Sequence, residues 1–121
     1  MLTLALDTAT RTLAVALVQD QQVLAQAAEP AAQSHAERLP ELLTQLLTES
    51  SLSRHQITQV AVGVGPGAYT GLRVGLMFAT AFARAREISL VGICTHDVIA
   101  PDDYTGLVVI CQAQRGLFIK I

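Results

Sequence analysis

A glycine-rich stretch from Gly65 to Gly75 has the residue types and spacing most suggestive of chemistry. Its four glycines and one proline lie between an apolar run that predicts a strand and another that predicts a helix. Glycine lets a backbone approach a ligand closely, and the amino end of a helix favours an anion. Gly65, Gly67 and Thr70 are therefore candidate phosphate-binding residues. A partner surface or a purely structural turn would also explain the stretch.

The stretch matches neither of two common phosphate-binding motifs. A P-loop requires Lys followed by Ser or Thr after its second glycine, whereas Leu72-Arg73 follow Gly71. The glycine spacing is GxGxxxG, whereas a dinucleotide-binding turn requires GxGxxG and an acid about twenty residues later. Both departures disfavour these two kinds of nucleotide site.

A second polar cluster, Asp7-Thr8-Ala9-Thr10, ends the first predicted strand. An acid and hydroxyls between two antiparallel strands resemble the start of the nucleotide-binding domains of sugar kinases, actin and heat-shock proteins. The resemblance implies that Asp7 serves a metal ion and phosphates, and that the turn at Thr8 wraps a phosphate. A solvated β-turn would have the same sequence, so both interpretations stay open.

Other candidate metal ligands and nucleophiles are sparse in the sequence. His35, His55 and His96 are scattered, and neither an HExxH nor an HxxxH pair occurs. A metal centre needs three or four convergent ligands, so no metal site and no catalytic residue is predicted. Cys94 and Cys111 lack a CxxC spacing and are expected to be buried thiols in a reducing compartment.

The composition bounds the class of protein. The chain has 121 residues, of which 51% are hydrophobic and 15% charged, so we expect one domain with a surface that another chain covers. The net charge of −2 and 4% aromatic content disfavour nucleic-acid binding by the chain alone. No signal peptide and no apolar run approaching the roughly 20 residues of a membrane span are found, so a cytoplasmic location without membrane association is expected.

Hydrophobic periodicity predicts the elements that must position these residues. The predicted order is βββαβαβ, then a short helical turn capped by Thr95 and a hairpin. A meander followed by strand–helix–strand crossovers gives a mixed sheet with helices on its faces. The predicted strands span 2–7, 13–18, 23–28, 57–64 and 90–94, the helices span 34–50 and 70–86, and the hairpin strands span 107–111 and 117–121.

The second predicted helix is apolar on nearly every side. Such a helix is buried on more than one side, either within its own domain or against another subunit. Both alternatives carry equal weight. A charge at Gly75 or Phe82 is expected to break a subunit interface without unfolding the chain. The candidate partner-interface residues are Leu39, Leu43, Leu46, Arg73, Leu76, Met77, Ala79, Thr80 and Ala83.

Four segments in the same order resemble the TsaB family, also called YeaZ, which carries an older glycoprotease label. The family patterns are close to IDTST, HSxxLLP, GPGSFTGLRIG and VGVSSL. The third pattern is specific and the others are supportive. The matching segments are LALDTAT at 4–10, QSHAERLP at 33–40, GPGAYTGLRVG at 65–75 and VGIC at 91–94.

The resemblance implies an α/β fold, namely the first half of an actin-like, sugar-kinase-type (ASKHA) ATPase domain with a mixed five-stranded sheet. Residues 1–121 would be one N-terminal subdomain. Family members are much longer, so the second subdomain would be largely absent, with 107–121 as its beginning. The chain departs from the family at Ala81-Phe82, where the family has Lys-Gly, and at 112–117, where an acid is lost.

The resemblance also implies a function. The chain would be a non-catalytic scaffold subunit, without peptidase activity, that pairs through its first two helices with a catalytic TsaD-type paralogue. With an ATPase subunit they would attach threonylcarbamoyl to the tRNA adenosine beside the anticodon. A homodimer in isolation and no direct tRNA binding alone are expected. No cofactor is expected, with ATP or ADP and magnesium placed only at the partner interface. The alternative is a small nucleotide- or phosphate-binding, ATPase-like domain.

Overall fold

The computed structural model describes residues 1–30, 35–67, 69–95, 109–113 and 116–120. The predicted order of strands and long helices is confirmed, with small shifts at their ends. Ser34, predicted to cap the first helix, and 96–100, in the predicted helical turn, lie outside the described residues. The elements are β1 (Leu2–Asp7), β2 (Thr12–Gln19), β3 (Gln22–Pro30), α1 (His35–Glu49), a 3₁₀ turn (Arg54–Gln56), β4 (Ile57–Gly63), α2 (Tyr69–Arg86), β5 (Ser89–Ile93), β6 (Val109–Ala113) and β7 (Gly116–Lys120).

Five strands form one mixed sheet in the order β3-β2-β1-β4-β5. β1 pairs antiparallel with β2 and parallel with β4, so that Ala5 lies between Ala16 and Ala61. β5 pairs parallel with β4, and β6 and β7 pair antiparallel as a separate hairpin. The parallel pairs require crossover connections, which α1 and α2 provide. The predicted mixed five-stranded sheet is therefore confirmed.

The hydrophobic core lies between one face of this sheet and the two helices. Alternation along β1 puts Leu2, Leu4 and Leu6 on the covered face, as period-two patterning requires. The opposite face carries small side chains, Ala5 and Ala16 among them, and forms an open groove of about 470 Å³. Buried residues of the other elements complete the core: Leu13, Val15, Leu17, Leu39, Leu42, Leu43, Leu46, Leu47, Ile57, Val60, Val62, Ala79 and Ala83.

Both helices end at a residue with left-handed backbone conformation. Ser51 has φ 56° and Glu87 has φ 55°. After α2, the Ile88 amide donates to the Ala83 carbonyl at 3.0 Å and the Glu87 amide donates to Arg84 at 3.2 Å. This pair of bonds is the Schellman motif. It ends α2 without a glycine and turns the chain toward β5.

Candidate functional site

The turn after β1 is shaped by the carboxylate of Asp7. Asp7 Oδ1 accepts a hydrogen bond from the Ala9 amide at 2.8 Å, which is an Asx-turn. The residue is only 8% exposed, and Oδ2 has no hydrogen-bond partner among the described residues. A Cβ on Gly63 would lie 1.9 Å from Oδ2. The carboxylate is thus enclosed between its own turn and the end of β4.

The hydroxyl of Thr8 contacts helix α2 directly. It donates to the Gly71 carbonyl at 2.6 Å and accepts from the Gly75 amide at 3.1 Å. Thr8 is 1% exposed, and a Cβ on Gly75 would lie 2.3 Å from the hydroxyl oxygen. Gly75 is therefore required at this position because any larger residue would meet Thr8.

The loop between β4 and α2 packs against two neighbouring segments. A Cβ on Gly67 would lie 2.0 Å from the Ala9 carbonyl oxygen, so this loop touches the Asp7 turn. Gly65 and Thr95 exchange two bonds of 3.0 Å, one from the Gly65 amide to Thr95 Oγ1 and one from the Thr95 amide to the Gly65 carbonyl. Thr95 is fully buried. Its sequence suggested a helix cap, and only its place at the end of β5 hinted at this contact.

The structure brings four of the five candidate phosphate-binding residues together. Asp7 and Thr8 lie at the end of β1, Gly65 and Gly67 lie in the loop beside it, and Thr70 lies exposed in the first turn of α2. Their described hydrogen bonds and close contacts are made within the chain. Nucleotide binding at these residues stays a prediction.

Helix α2 exposes the large apolar side chain of Met77 on its outer side. Met77 is 61% exposed, and Arg73 and Thr80 are exposed beside it along the helix. We call Arg73, Met77 and Thr80 the α2 strip. Leu76, next to the strip, is half-buried. These four of the nine predicted interface residues can reach a partner.

The other five predicted interface residues are buried within this chain, and a partner contact by any of them stays a prediction. They belong to the hydrophobic core: Leu39, Leu43, Leu46, Ala79 and Ala83. Helical spacing groups residues on one face but does not say whether that face meets the chain's own sheet or another subunit. The expectation for Gly75 also needs correction, because a charged side chain there would collide with Thr8. Phe82 is half-buried and stacks on Phe78 with ring centroids 6.2 Å apart.

One ion-pair network joins β3 to α1. Arg38 Nε donates to Glu29 Oε1 at 2.5 Å, its second terminal nitrogen donates to Glu29 Oε2 at 3.1 Å, and a weaker bond of 3.3 Å reaches Glu41. The hydrogen bond from Arg38 lowers the pKa of Glu29, and the same bond raises the pKa of Arg38. This two-pronged geometry is the strongest form of a carboxylate–guanidinium contact.

The described part of the chain has neither a cluster of metal ligands nor a membrane-spanning helix. No three His, Cys, Asp or Glu side chains there converge to hold a metal ion. Neither α1 nor α2 is long and apolar enough to cross a bilayer. The cytoplasmic location stays a prediction.

Comparison with known proteins gives a consistent family. The family model described as TsaD, tRNA N6-adenosine threonylcarbamoyltransferase, matches residues 19–121. An uncharacterized protein of Mycobacterium tuberculosis (strain ATCC 25618 / H37Rv) is 35% identical over 114 residues, which cover 93% of this chain and 54% of that protein. The tRNA threonylcarbamoyladenosine biosynthesis protein TsaB of Bacillus subtilis (strain 168) is 29% identical over 119 residues, which cover 96% of this chain and 52% of TsaB.

A solved structure agrees with the sequence matches. YeaZ from Pseudomonas aeruginosa superposes with a TM-score of 0.71 at 31% identity and covers 78% of this chain and 45% of YeaZ. The predicted α/β fold of the actin-like, sugar-kinase-type ATPase class is confirmed. The chain spans about half the length of these curated relatives.

Proposed function

The chain belongs to the tRNA N6-adenosine threonylcarbamoyltransferase family and is a TsaB-like member of it, and on that premise we propose that it is a non-catalytic subunit in threonylcarbamoyladenosine biosynthesis on tRNA. It pairs with a TsaD-type paralogue, which performs the transfer with help from an ATPase subunit. In isolation the same surface forms a homodimer.

The observation that carries the partner proposal is the exposure of Met77. A large apolar side chain that is 61% exposed contributes favourable free energy when a partner covers it. Arg73 and Thr80 flank Met77 along the helix and can form the polar rim that surrounds an interface core. The α2 strip therefore has the composition of a protein-binding surface.

Exposed charges on α1 and α2 can orient a partner on this surface. The outer side of α1 exposes Glu37 and Glu49, whereas α2 exposes Arg73 and Arg84, and the two helices contact each other. A related subunit placed by two-fold symmetry can set its basic helix against the acidic one. This arrangement suits a second copy and a structurally similar paralogue alike.

The test is to place a charge on the strip. We expect Met77→Asp to weaken binding to a TsaD-type paralogue by on the order of tenfold or more, since an interface charge without a partner is costly. Sedimentation velocity of the mixture gives the affinity. A reconstituted threonylcarbamoyl transfer reaction, in which the variant should stimulate less, gives the function.

The matched control is Val23→Asp on β3. Val23 is also half-exposed and lies at the opposite edge of the sheet from β5, so this variant should bind as the wild type does. A wild-type chain that stays monomeric and does not bind the paralogue would contradict the proposal. Equal binding by Met77→Asp and the wild type would remove the α2 strip from it.

The nucleotide-binding alternative has less support from the geometry. The Thr8 hydroxyl already bonds to Gly71 and Gly75, and Gly67 abuts the Ala9 carbonyl. Titration calorimetry with ATP and magnesium should therefore show no binding to the isolated chain. Micromolar affinity in that titration would favour the nucleotide-binding domain over the scaffold subunit.

A further inference from the structure

We propose that Thr8 is a positioning residue that sets the place of helix α2 on the sheet and thereby presents the α2 strip to its partner. The inference rests on the proposed function, because it concerns how that same partner surface is held.

The Thr8 hydroxyl lies between two groups that normally bond to each other. In an α-helix the carbonyl of one residue accepts the amide of the residue four positions later, and Gly71 and Gly75 are such a pair within α2. The hydroxyl donates to the first at 2.6 Å and accepts from the second at 3.1 Å. One turn of α2 is thus joined to a side chain from outside the helix.

That side chain is itself fixed to the centre of the sheet. Thr8 follows β1, the middle strand of the five. Asp7 pairs with Ala14 in the β1–β2 register, and its carboxylate holds the Ala9 amide. The backbone on both sides of Thr8 is therefore held, and so the hydroxyl can serve as a fixed reference point for the helix.

The α2 strip lies on the far side of the helix from this contact. Arg73 and Met77 are each two residues from Gly75, which at 3.6 residues per turn is about 200° around the axis. Gly75 is buried against Thr8, whereas Met77 is mostly exposed. A rotation or lift of the first turns of α2 would move the strip by a similar amount, with no intervening element to absorb it.

The experiment compares three threonine variants of the whole chain. Thr8→Val keeps the shape but replaces the hydroxyl with a methyl group, and Thr8→Ser keeps the hydroxyl. Thr3→Val is the matched control, because it removes another threonine hydroxyl bond from β1, the 3.2 Å contact with Gln59, away from α2. The measurements are affinity for a TsaD-type paralogue and amide hydrogen exchange at Gly75.

We expect Thr8→Val to weaken paralogue binding by on the order of tenfold and to speed exchange at Gly75, since a buried amide loses its acceptor. Thr8→Ser should have the affinity and the Gly75 exchange rate of the wild type. Thr3→Val should lower the melting temperature at most and leave the affinity and the Gly75 exchange rate unchanged. If Thr8→Val does not fold, Thr8→Ala takes its place with paralogue affinity as its readout, because Gly71 and Gly75 can then form the ordinary helical bond.

The outcomes separate this inference from the proposed function. Equal affinity of Thr8→Val and Thr3→Val, with a wild type that binds and a Met77→Asp variant that does not, would overturn the inference alone. A wild type that binds no paralogue overturns the proposed function. In that case faster exchange at Gly75 in Thr8→Val would still support the role of Thr8 in positioning α2. Unchanged exchange in Thr8→Val would overturn that role too.

Discussion

At the residue scale, two glycines of the glycine-rich stretch make close contacts within the chain. Gly67 and Gly75 each lack a Cβ where a neighbour from the Asp7 turn comes within contact distance, the Ala9 carbonyl in one case and the Thr8 hydroxyl in the other. Glycine can serve close backbone approach to a ligand or to another part of the chain. At these two positions the neighbour is the chain itself.

Gly75→Ala should destabilise the protein although alanine is the better helix former. The added Cβ would lie 2.3 Å from a short, buried side chain that cannot move away. Overpacking typically costs about 1–3 kcal/mol, and alanine recovers about 1 kcal/mol of helix propensity. We therefore expect a net loss of up to about 2 kcal/mol, measured by urea unfolding.

A double-mutant cycle shows whether Thr8 causes that loss. In a Thr8→Ala background the hydroxyl and methyl groups are absent, so Gly75→Ala should cost less than it does in the wild type. Equal costs in the two backgrounds would mean that the steric argument is wrong.

The candidate site could be predicted from the sequence only in part. Asp7, Thr8 and the 65–75 stretch were identified as the informative residues, and the structure brings them together. The bond from the Thr8 hydroxyl to Gly71 and the bond from the Gly65 amide to Thr95 join residues far apart in the chain. Such contacts depend on strand register and helix rotation, which local spacing does not determine.

At the scale of elements, periodicity predicted the strands and helices because apolar residues recur along them at strand or helix spacing. Periodicity did not show which side of each helix faces the sheet and which side stays exposed. Leu39 and Leu43 were predicted to meet a partner, yet they pack on the sheet. A helix with apolar residues on several sides has no single preferred face, and only the position of α1 beside α2 shows which side remains open.

The end of α2 gives a prediction at this scale. Glu87 has φ 55°, a conformation that costs a residue with a Cβ roughly 1 kcal/mol relative to glycine. Glu87→Gly should therefore raise stability by about that amount and the melting temperature by about 4 °C. Differential scanning calorimetry measures the shift.

The control for this variant is Glu87→Ala. Alanine removes the same charge and side chain but keeps the Cβ, so it should give little or none of the gain. A stabilisation of equal size in both variants would assign the effect to charge at the helix end and not to backbone conformation.

The whole molecule has two unlike sheet faces. One is covered by α1 and α2 over a leucine-rich core, and the other is a groove of small side chains. Leucine side chains fill the space between the sheet and the two helices, whereas the small alanine side chains on the opposite face leave a groove. Beside this core, two polar contacts join the helices to the sheet, one at α2 through Thr8 and one at α1 between Arg38 and Glu29.

That second contact should make overall stability depend on pH. The pKa of Glu29 is lowered from its ordinary value of 4.5 by the hydrogen bond from Arg38. The stabilisation is therefore fully present above pH 4.5 and is lost as the pH falls toward the lowered value. Glu29→Gln should melt slightly below the wild type at pH 7, because the pair is partly exposed to solvent, and the difference should shrink as the pH falls below 4.5.

A control variant shows whether this pH dependence comes from the contact between Arg38 and Glu29. Glu49→Gln removes a carboxylate from the same helix layer without touching Arg38, so its difference from the wild type should not follow the same curve. Melting temperatures at several pH values, in low salt so that an accessible pair is not screened, make the comparison. A Glu29→Gln difference that stays constant from pH 7 to about pH 3 would mean that neutral hydrogen bonds and packing, and not the charge on Glu29, hold α1 to β3.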